Sequence, residues 1–191
     1  MFWTPAHFGP APAWFEHGPF AFWLIDTLRP KNFVELGTHA GFSYFSFCQA
    51  VAQLKSKTKC CAVDTWAGDA HAGFYGEEIY TSVAENNQQY QRFSRLLRAT
   101  FDDAVALFPD KSIDLLHIDG RHFYDDVKHD YESWLPKLTD DAIVLFHDTN
   151  VRQRDFGVWK LFRALKRRHT AFEFLHGHGL GVLAPAKFLR Q

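Results

Sequence analysis

The sequence predicts one doubly wound α/β domain around a mostly parallel sheet, and three observations carry that expectation. Short, almost wholly apolar runs alternate with longer stretches of helical spacing, the pattern of strands covered by helices on both faces. A chain of 191 residues has the size of one domain rather than two. Acidic and imidazole side chains fall just past the ends of the apolar runs, where open α/β sheets bind their ligands. With 47% hydrophobic and 23% charged residues, such a chain packs a core without disulfides or a structural metal.

The elements follow in order. Pro5, Pro10, Pro12 and Pro19, with Gly9 and Gly18, read as an irregular arm over residues 1–20. A helix over 20–28 stops at Arg29–Pro30, because the residue before a proline avoids the helical region. Asn32–Leu36 is a buried strand ended by Gly37, and apolar spacing makes 42–54 a helix. Cys60–Val63 is the second strand and ends at Asp64. Residues 65–92 are polar and glycine-bearing, with a helix over 77–92. Phe93–Arg98 is the third strand and 102–108 a short helix. Ser112–Ile118 is the fourth strand, ending at Asp119, with a helix over 123–135 behind it. Ala142–Phe146 is the fifth, ending at His147–Asp148, and a helix covers 155–169. Phe172–Leu175 and Leu180–Leu183 close the sheet; the short His-Gly-His-Gly turn between them requires an antiparallel pair. No internal repeat or linker is visible, so residues 1–191 are expected to form a single domain.

Charge and cysteines narrow the class. Twenty-one Lys and Arg against 22 Asp and Glu give a formal net charge of −1, too little field to gather a polyanion, so nucleic acid is not an expected partner. Lys166, Arg167 and Arg168 read as a solvated helix end that complements the helix dipole. Cys48, Cys60 and Cys61 lack metal-ligand spacing and read as small buried apolar residues. Neither a signal peptide nor a membrane-spanning run is legible, which points to a reducing, cytoplasmic setting. Twenty Phe and six Trp exceed what a core demands, and aromatic walls around a flat ligand are one use for the surplus.

Glu35, Asp64, Asp119, His147 and Asp148 all lie at or near strand ends. Any one alone reads as a cap or turn residue; five on one rim argue for a site. The turn Glu35–Ser43 carries glycines at 37 and 41, spaced G-x-x-x-G rather than the G-x-G-x-x-G that clamps a pyrophosphate. Its nearby carboxylate would repel a pyrophosphate and suit a cationic ligand, while Asp64 is placed to accept from ribose hydroxyls. A nucleoside without pyrophosphate, beside a positive centre, describes S-adenosylmethionine. The rival on a similar sheet is an NAD-binding oxidoreductase, which the missing third glycine disfavours.

The stretch Val34–Ser43 resembles the first motif of class I S-adenosylmethionine-dependent methyltransferases. Ile113–Tyr124, with Leu145–Thr149, is similar to methyltransferase family 24, related to the macrocin-type sugar O-methyltransferases. The resemblance spans residues 14–185 and implies a Rossmann-like, seven-stranded sheet with an antiparallel C-terminal pair. It further implies that Glu35, Gly37 and Gly41 hold the methionine end, with Thr38 and Ser43 as neighbours. Asp64 would bind the ribose, Trp66 shape its wall, and Thr100, Phe101 and Asp102 surround the adenine, while Asp119 faces the methyl-transfer centre. In metal-assisted relatives an acid at the Asp119 position and a pair ending the fifth strand bind a divalent cation. Here that pair is His147–Asp148 or Asp148–Thr149, where relatives more often carry two carboxylates or a carboxylate and an amide. Asp119, His147 and Asp148 suit Mg²⁺ or Mn²⁺ and do not exclude Zn²⁺ or Fe²⁺. Similar domains are fused to bacterial glycosyltransferases, which implies a small-molecule or sugar acceptor, surface-polysaccharide chemistry and association with such an enzyme. The assembly is left open by the sequence, a homodimer among the options.

Methyl transfer is an in-line displacement at a carbon already activated by its sulfonium, so the protein mainly positions a hydroxyl and removes its proton. His122, three residues past Asp119, is the expected base, because imidazole titrates near neutrality; the plainer alternative is that it satisfies a helix end or binds substrate. Residues 71–78 read as a lid or acceptor wall, and His176 and His178 as surface turn residues. Two further rivals are a non-catalytic methyltransferase-like binding module and a redox-iron site on the His-Asp cluster.

Overall fold

A computed structural model of the protein describes residues 3–9, 12–69, 71–153 and 155–185. Met1, Phe2, Pro10 and Ala11 of the expected arm lie outside them; residues 3–9 are irregular as expected, and the arm from Pro12 on is helical. Pro12–His17 is a 3₁₀ helix running directly into α1, Gly18–Leu28. Pro19 sits in the first turn of α1, where the missing N–H is an orphan in any case, so it starts the helix instead of breaking it. Trp14 and His17 are buried and pin the segment to the core. Helix α1 ends at Leu28 as expected, through Arg29 in the left-handed region.

The remaining elements are β1 (Asn32–Leu36), α2 (Phe42–Gln53), β2 (Lys59–Asp64), β3 (Gly68–Asp69), β4 (Gly73–Phe74), α3 (Glu77–Asn87), β5 (Ser94–Arg98), α4 (Phe101–Val105), β6 (Ile113–Ile118), α5 (Tyr124–Trp134), β7 (Leu138–His147), α6 (Val158–Leu165), β8 (Thr170–Phe174) and β9 (Leu180–Ala184). Several bounds differ from the sequence expectation. Helix α3 stops at Asn87 rather than Arg92 and tightens into a 3₁₀ turn. Strand β7 starts at Leu138, ahead of its apolar run, because Leu138 already pairs with Ile113 before a register shift. Helix α6 is confined to Val158–Leu165. The β3–β4 hairpin occupies ground that the sequence left irregular.

One seven-stranded sheet has the order β5-β2-β1-β6-β7-β9-β8. Strands β5, β2, β1, β6 and β7 are parallel, and β9 runs antiparallel to both neighbours. Alternation along the strands splits the interior in two. Phe33, Cys60, Ala62, Leu115 and Leu145 face α1 and α2; Val34, Leu36, Val63, Leu116, Ile118, Val144 and Phe146 face the layer of α4, α5 and α6. This two-sided burial is why the strands read as unbroken apolar runs. All three cysteines are free and buried, as expected. Among the described residues, no helix is long and apolar enough to cross a membrane.

Chain order reverses between β1 and β6, and there the strand tips meet. Gly37 N–H donates to Val63 O at 2.9 Å and Asp119 N–H to Leu36 O at 2.8 Å. Gly37 has φ +85°, and a Cβ on it would stand 2.1 Å from the Asp119 carbonyl oxygen, so only glycine lets the tips close. We expect Gly37→Ala to destabilise the fold by more than the roughly 1–2 kcal/mol that a left-handed conformation alone costs an L-residue. Urea unfolding measures this; an unchanged midpoint would show that the tips can part freely.

Candidate active site

The switch point opens into a cavity of about 320 Å³. Of the residues singled out by sequence, Gly37, Asp64, Thr100, Phe101, Asp102, Asp119 and His122 line it, together with His39, Asp69, Tyr75, Gly120, Asp126, His129 and Asp130. Glu35, Thr38, Gly41, Ser43, Trp66, His147 and Asp148 are not among its lining. They are buried around it or, for Gly41, form the start of α2.

Asp64 anchors the glycine turn. Its Oδ2 accepts from the N–H groups of Thr38 and His39, each at 2.8 Å, and its Oδ1 from Trp66 N–H at 2.8 Å. A carboxylate has about four acceptor positions, so one is left for a ligand. Trp66 was expected on the ribose wall; its ring is 1% exposed, donates Nε1–H to His39 O at 3.0 Å and packs on Tyr80, so it supports the turn from behind. Gly41 has φ +85° and lies against the Phe45 ring.

At the far end, Thr100 caps α4 by accepting from Asp103 N–H at 3.1 Å. Phe101 is half-buried and its ring lies against Gly120. Asp102 is exposed, with Oδ1 2.7 Å from His129 Nε2.

The reactive end is a His-Asp quartet at the tips of β6 and β7. His147 Nε2 donates to Gly177 O at 3.1 Å, which leaves Nδ1 to face Asp119 Oδ1 at 3.3 Å and Asp148 Oδ2 at 3.5 Å. His122 Nε2 is 2.8 Å from Asp148 Oδ2 and 3.6 Å from Asp119 Oδ1. The short contact is one of charge: the carboxylate lies off the N–H direction, so neither ring nitrogen makes a directed hydrogen bond within the described residues. The loop before α6 holds this ring. Gly157 N–H donates to His122 O at 2.7 Å, Phe123 bridges to Phe156, and Phe156 stacks on the imidazole at 4.5 Å and 9°. His71, from the β3–β4 hairpin, lies 5.3 Å from the same ring. His178 was expected at the surface; it is exposed, yet its Nδ1 reaches Asp148 Oδ1 at 3.1 Å.

Electrostatics follow from this packing. Burial alone would raise Asp119 and Asp148, but His147 and His122 beside them hold both carboxyls far below the usual range. Burial pulls His122 down; Asp119 and Asp148 outweigh it and push the imidazole up to about 9. His147 rises well above its ordinary value for the same reason. At neutral pH the quartet is two carboxylates balanced by two imidazoliums. Ligand-capable atoms of Asp119, His122 and Asp148 lie within 4.8 Å of one another, so the cation candidate drawn by geometry contains His122 where sequence placed His147.

Behind the wall, Glu35 is wholly buried and its Oε2 is 2.8 Å from His117 Nδ1. Burial raises its carboxyl, opposed by His117. The two are register partners on adjacent strands, so their side chains share one face. His117 was missed by sequence reading, where it looked like one more residue of an apolar run. Asp126, His129 and Asp130 were missed as well, because acidic residues on a helix after a strand read as a solvated face.

A glycine-turned switch point, an acid on the second strand tip and a seven-stranded sheet ending antiparallel define the class: this is the fold of the class I, S-adenosylmethionine-dependent methyltransferases. The chain belongs to the methyltransferase-domain family known as Methyltransf_24, whose profile matches residues 34–149. It is 59% identical over 187 residues to an uncharacterized protein, y4gI, of Sinorhizobium fredii; the match covers 98% of this chain and 21% of that protein, so the chain spans about a fifth of its relative's length. In fold it is similar to the O-methyltransferase TomG of Streptomyces achromogenes, involved in tomaymycin synthesis and solved with SAM (TM-score 0.65, 13% identity, 92% and 87% of the two chains). It is likewise similar to an O-methyltransferase of Bacillus cereus solved with SAH (TM-score 0.64, 13% identity, 95% and 84%).

Proposed function

We propose that the domain transfers the sulfonium methyl group of S-adenosylmethionine to a hydroxyl of a small molecule or sugar. One observation carries this reading: a cavity walled by Gly37, Asp64 and Phe101 ends at an imidazole flanked by two carboxylates. The bound SAM and SAH of the two O-methyltransferases on the same fold support it.

His122 serves as the base. It takes the acceptor proton as the oxygen attacks the methyl carbon; the O–CH₃ bond forms, the C–S bond breaks, and S-adenosylhomocysteine leaves. The Phe156 stack and the backbone bond from Gly157 hold the ring, and the charges of Asp119 and Asp148 stabilise the imidazolium that results. The same carboxylates set the pH dependence. A base must be neutral, and this imidazole is held protonated up to about 9. We therefore expect kcat/KM to rise with pH, about tenfold per unit, and to level off near pH 9. A flat profile from pH 6 to 9 would exclude His122 as the base.

A second reading is favoured by the proximity of Asp119, His122 and Asp148. The two hard oxygens and one nitrogen suit a divalent cation. It would be held by those residues and would lower the pKa of the acceptor hydroxyl. His122 would then be a ligand rather than the base. A sugar acceptor and association with a glycosyltransferase belong to the proposal on the strength of the family resemblance alone, and a cytoplasmic setting on the three free, buried cysteines.

The deciding experiment is calorimetric titration with S-adenosylhomocysteine, with and without Mg²⁺. Micromolar-range binding is expected for the wild type, and its loss in Asp64→Ala, which frees the N–H groups of Thr38, His39 and Trp66 and removes the remaining acceptor. Binding of NADH in place of S-adenosylhomocysteine would support the oxidoreductase instead.

A further inference from the structure

Asp130 stands out among the groups lining the cavity. It is 8% exposed, and no hydrogen bond or ion pair joins it to any described residue, yet its carboxyl lines the cavity beside Phe101 and Gly120. Its oxygens are not among the sealed, unpartnered polar atoms of the interior; they meet the cavity, and a ligand that closes over them must supply the hydrogen bonds water otherwise makes. Gly120 brings it there: a Cβ at that position would lie 2.5 Å from the Phe101 ring and 3.5 Å from Asp130 Oδ2. Ring, glycine and carboxyl therefore enclose one flat corner. Asp102, which the family resemblance placed at the adenine together with Thr100 and Phe101, is exposed and already paired with His129.

We propose that Asp130 is the residue that reads the adenine base, its carboxylic O–H donating to a ring nitrogen while its carbonyl oxygen accepts from the exocyclic amine. The proposal rests on the cofactor reading above. The protonation state it needs comes from the surroundings. Burial is the largest influence, opposed by His129, reinforced by Asp126 and Asp102, and opposed again by Arg121; together they push the Asp130 carboxyl up to about 7. Asp126 and His129 share its helix, Asp102 belongs to α4, and Arg121 comes from the loop after β6. A side-chain amide can form the same two-bond pair with adenine, so asparagine at this position keeps the recognition and loses the titration.

The test is calorimetric titration of S-adenosylhomocysteine between pH 6 and 8.5 on the wild type, Asp130→Asn and Asp130→Ala, repeated with 5′-methylthioadenosine to confine the readout to the nucleoside. Wild-type affinity is expected to be level below pH 7 and to fall above it, approaching tenfold per unit, with a proton taken up on binding. Asp130→Asn should bind with little dependence on pH and exceed the wild type at pH 8.5. Asp130→Ala should bind at least about tenfold more weakly at pH 6. Wild-type affinity in Asp130→Ala at pH 6, or a wild-type pH slope in Asp130→Asn, overturns the proposal. Should Asp130→Ala not fold, the near-isosteric Asp130→Asn decides alone. A wild type that binds no S-adenosylhomocysteine at any pH fails the cofactor reading itself, a different result.

Discussion

Methyl transfer by a His122→Gln variant is expected to fall by about 10²- to 10⁴-fold, the usual contribution of a positioned base, while S-adenosylhomocysteine binding stays within a few-fold of wild type. Glutamine keeps a polar, neutral group against Phe156 and Asp148 but cannot accept the acceptor's proton at neutral pH. The ring it replaces is fixed on three sides, by the Phe156 stack, the Asp148 carboxylate and the backbone bond from Gly157, so its position is set before any substrate arrives. Single-turnover kinetics with saturating cofactor separate the chemical step from binding. Loss of rate with retained binding, and loss of the rising pH limb, identify the base. Loss of rate together with loss of Mg²⁺ stimulation identifies a cation ligand. Wild-type biological activity in the variant would mark the domain as a binding module.

The sheet was legible because its strands are buried on both faces, and burial leaves a contiguous apolar signature. Glu35, Asp64, Asp119, His147 and Asp148 were legible as a group because polar residues at strand ends interrupt that signature. What sequence could not supply was direction. Asp64 is at its expected strand tip, yet three of its acceptor positions serve the backbone of its own turns. His122, read as the base, takes the place in the cation cluster that sequence gave to His147, since the strand carries His147 onto the inner face while a loop carries His122 to the rim. Pro19 misled because a proline that opens a helix and one that breaks it look alike without the flanking contacts. Asp130 gave no signal: burial of a helical acid depends on the cavity opposite it, which only the fold creates.

The largest effect on stability is expected from the buried pair behind the site. His117→Leu should destabilise the fold by about 3–5 kcal/mol, because it leaves the Glu35 carboxyl buried and without its partner. Glu35→Leu alone is expected to be milder, since a lone imidazole is cheaper to bury neutral than a carboxylate. The double variant should recover much of the loss, as apolar replacements of buried pairs often do, and urea unfolding followed by tryptophan fluorescence closes the cycle. Strictly additive single effects would mean that the 2.8 Å contact contributes nothing of its own. The pair joins β1 to β6, the two strands whose tips carry Gly37 and Asp119. A double variant that regains stability but not rate would show that the pair is retained for the spacing of those tips. Both residues are inaccessible to substrate, so any such deficit must travel through the strands, and it should appear in kcat with KM little changed.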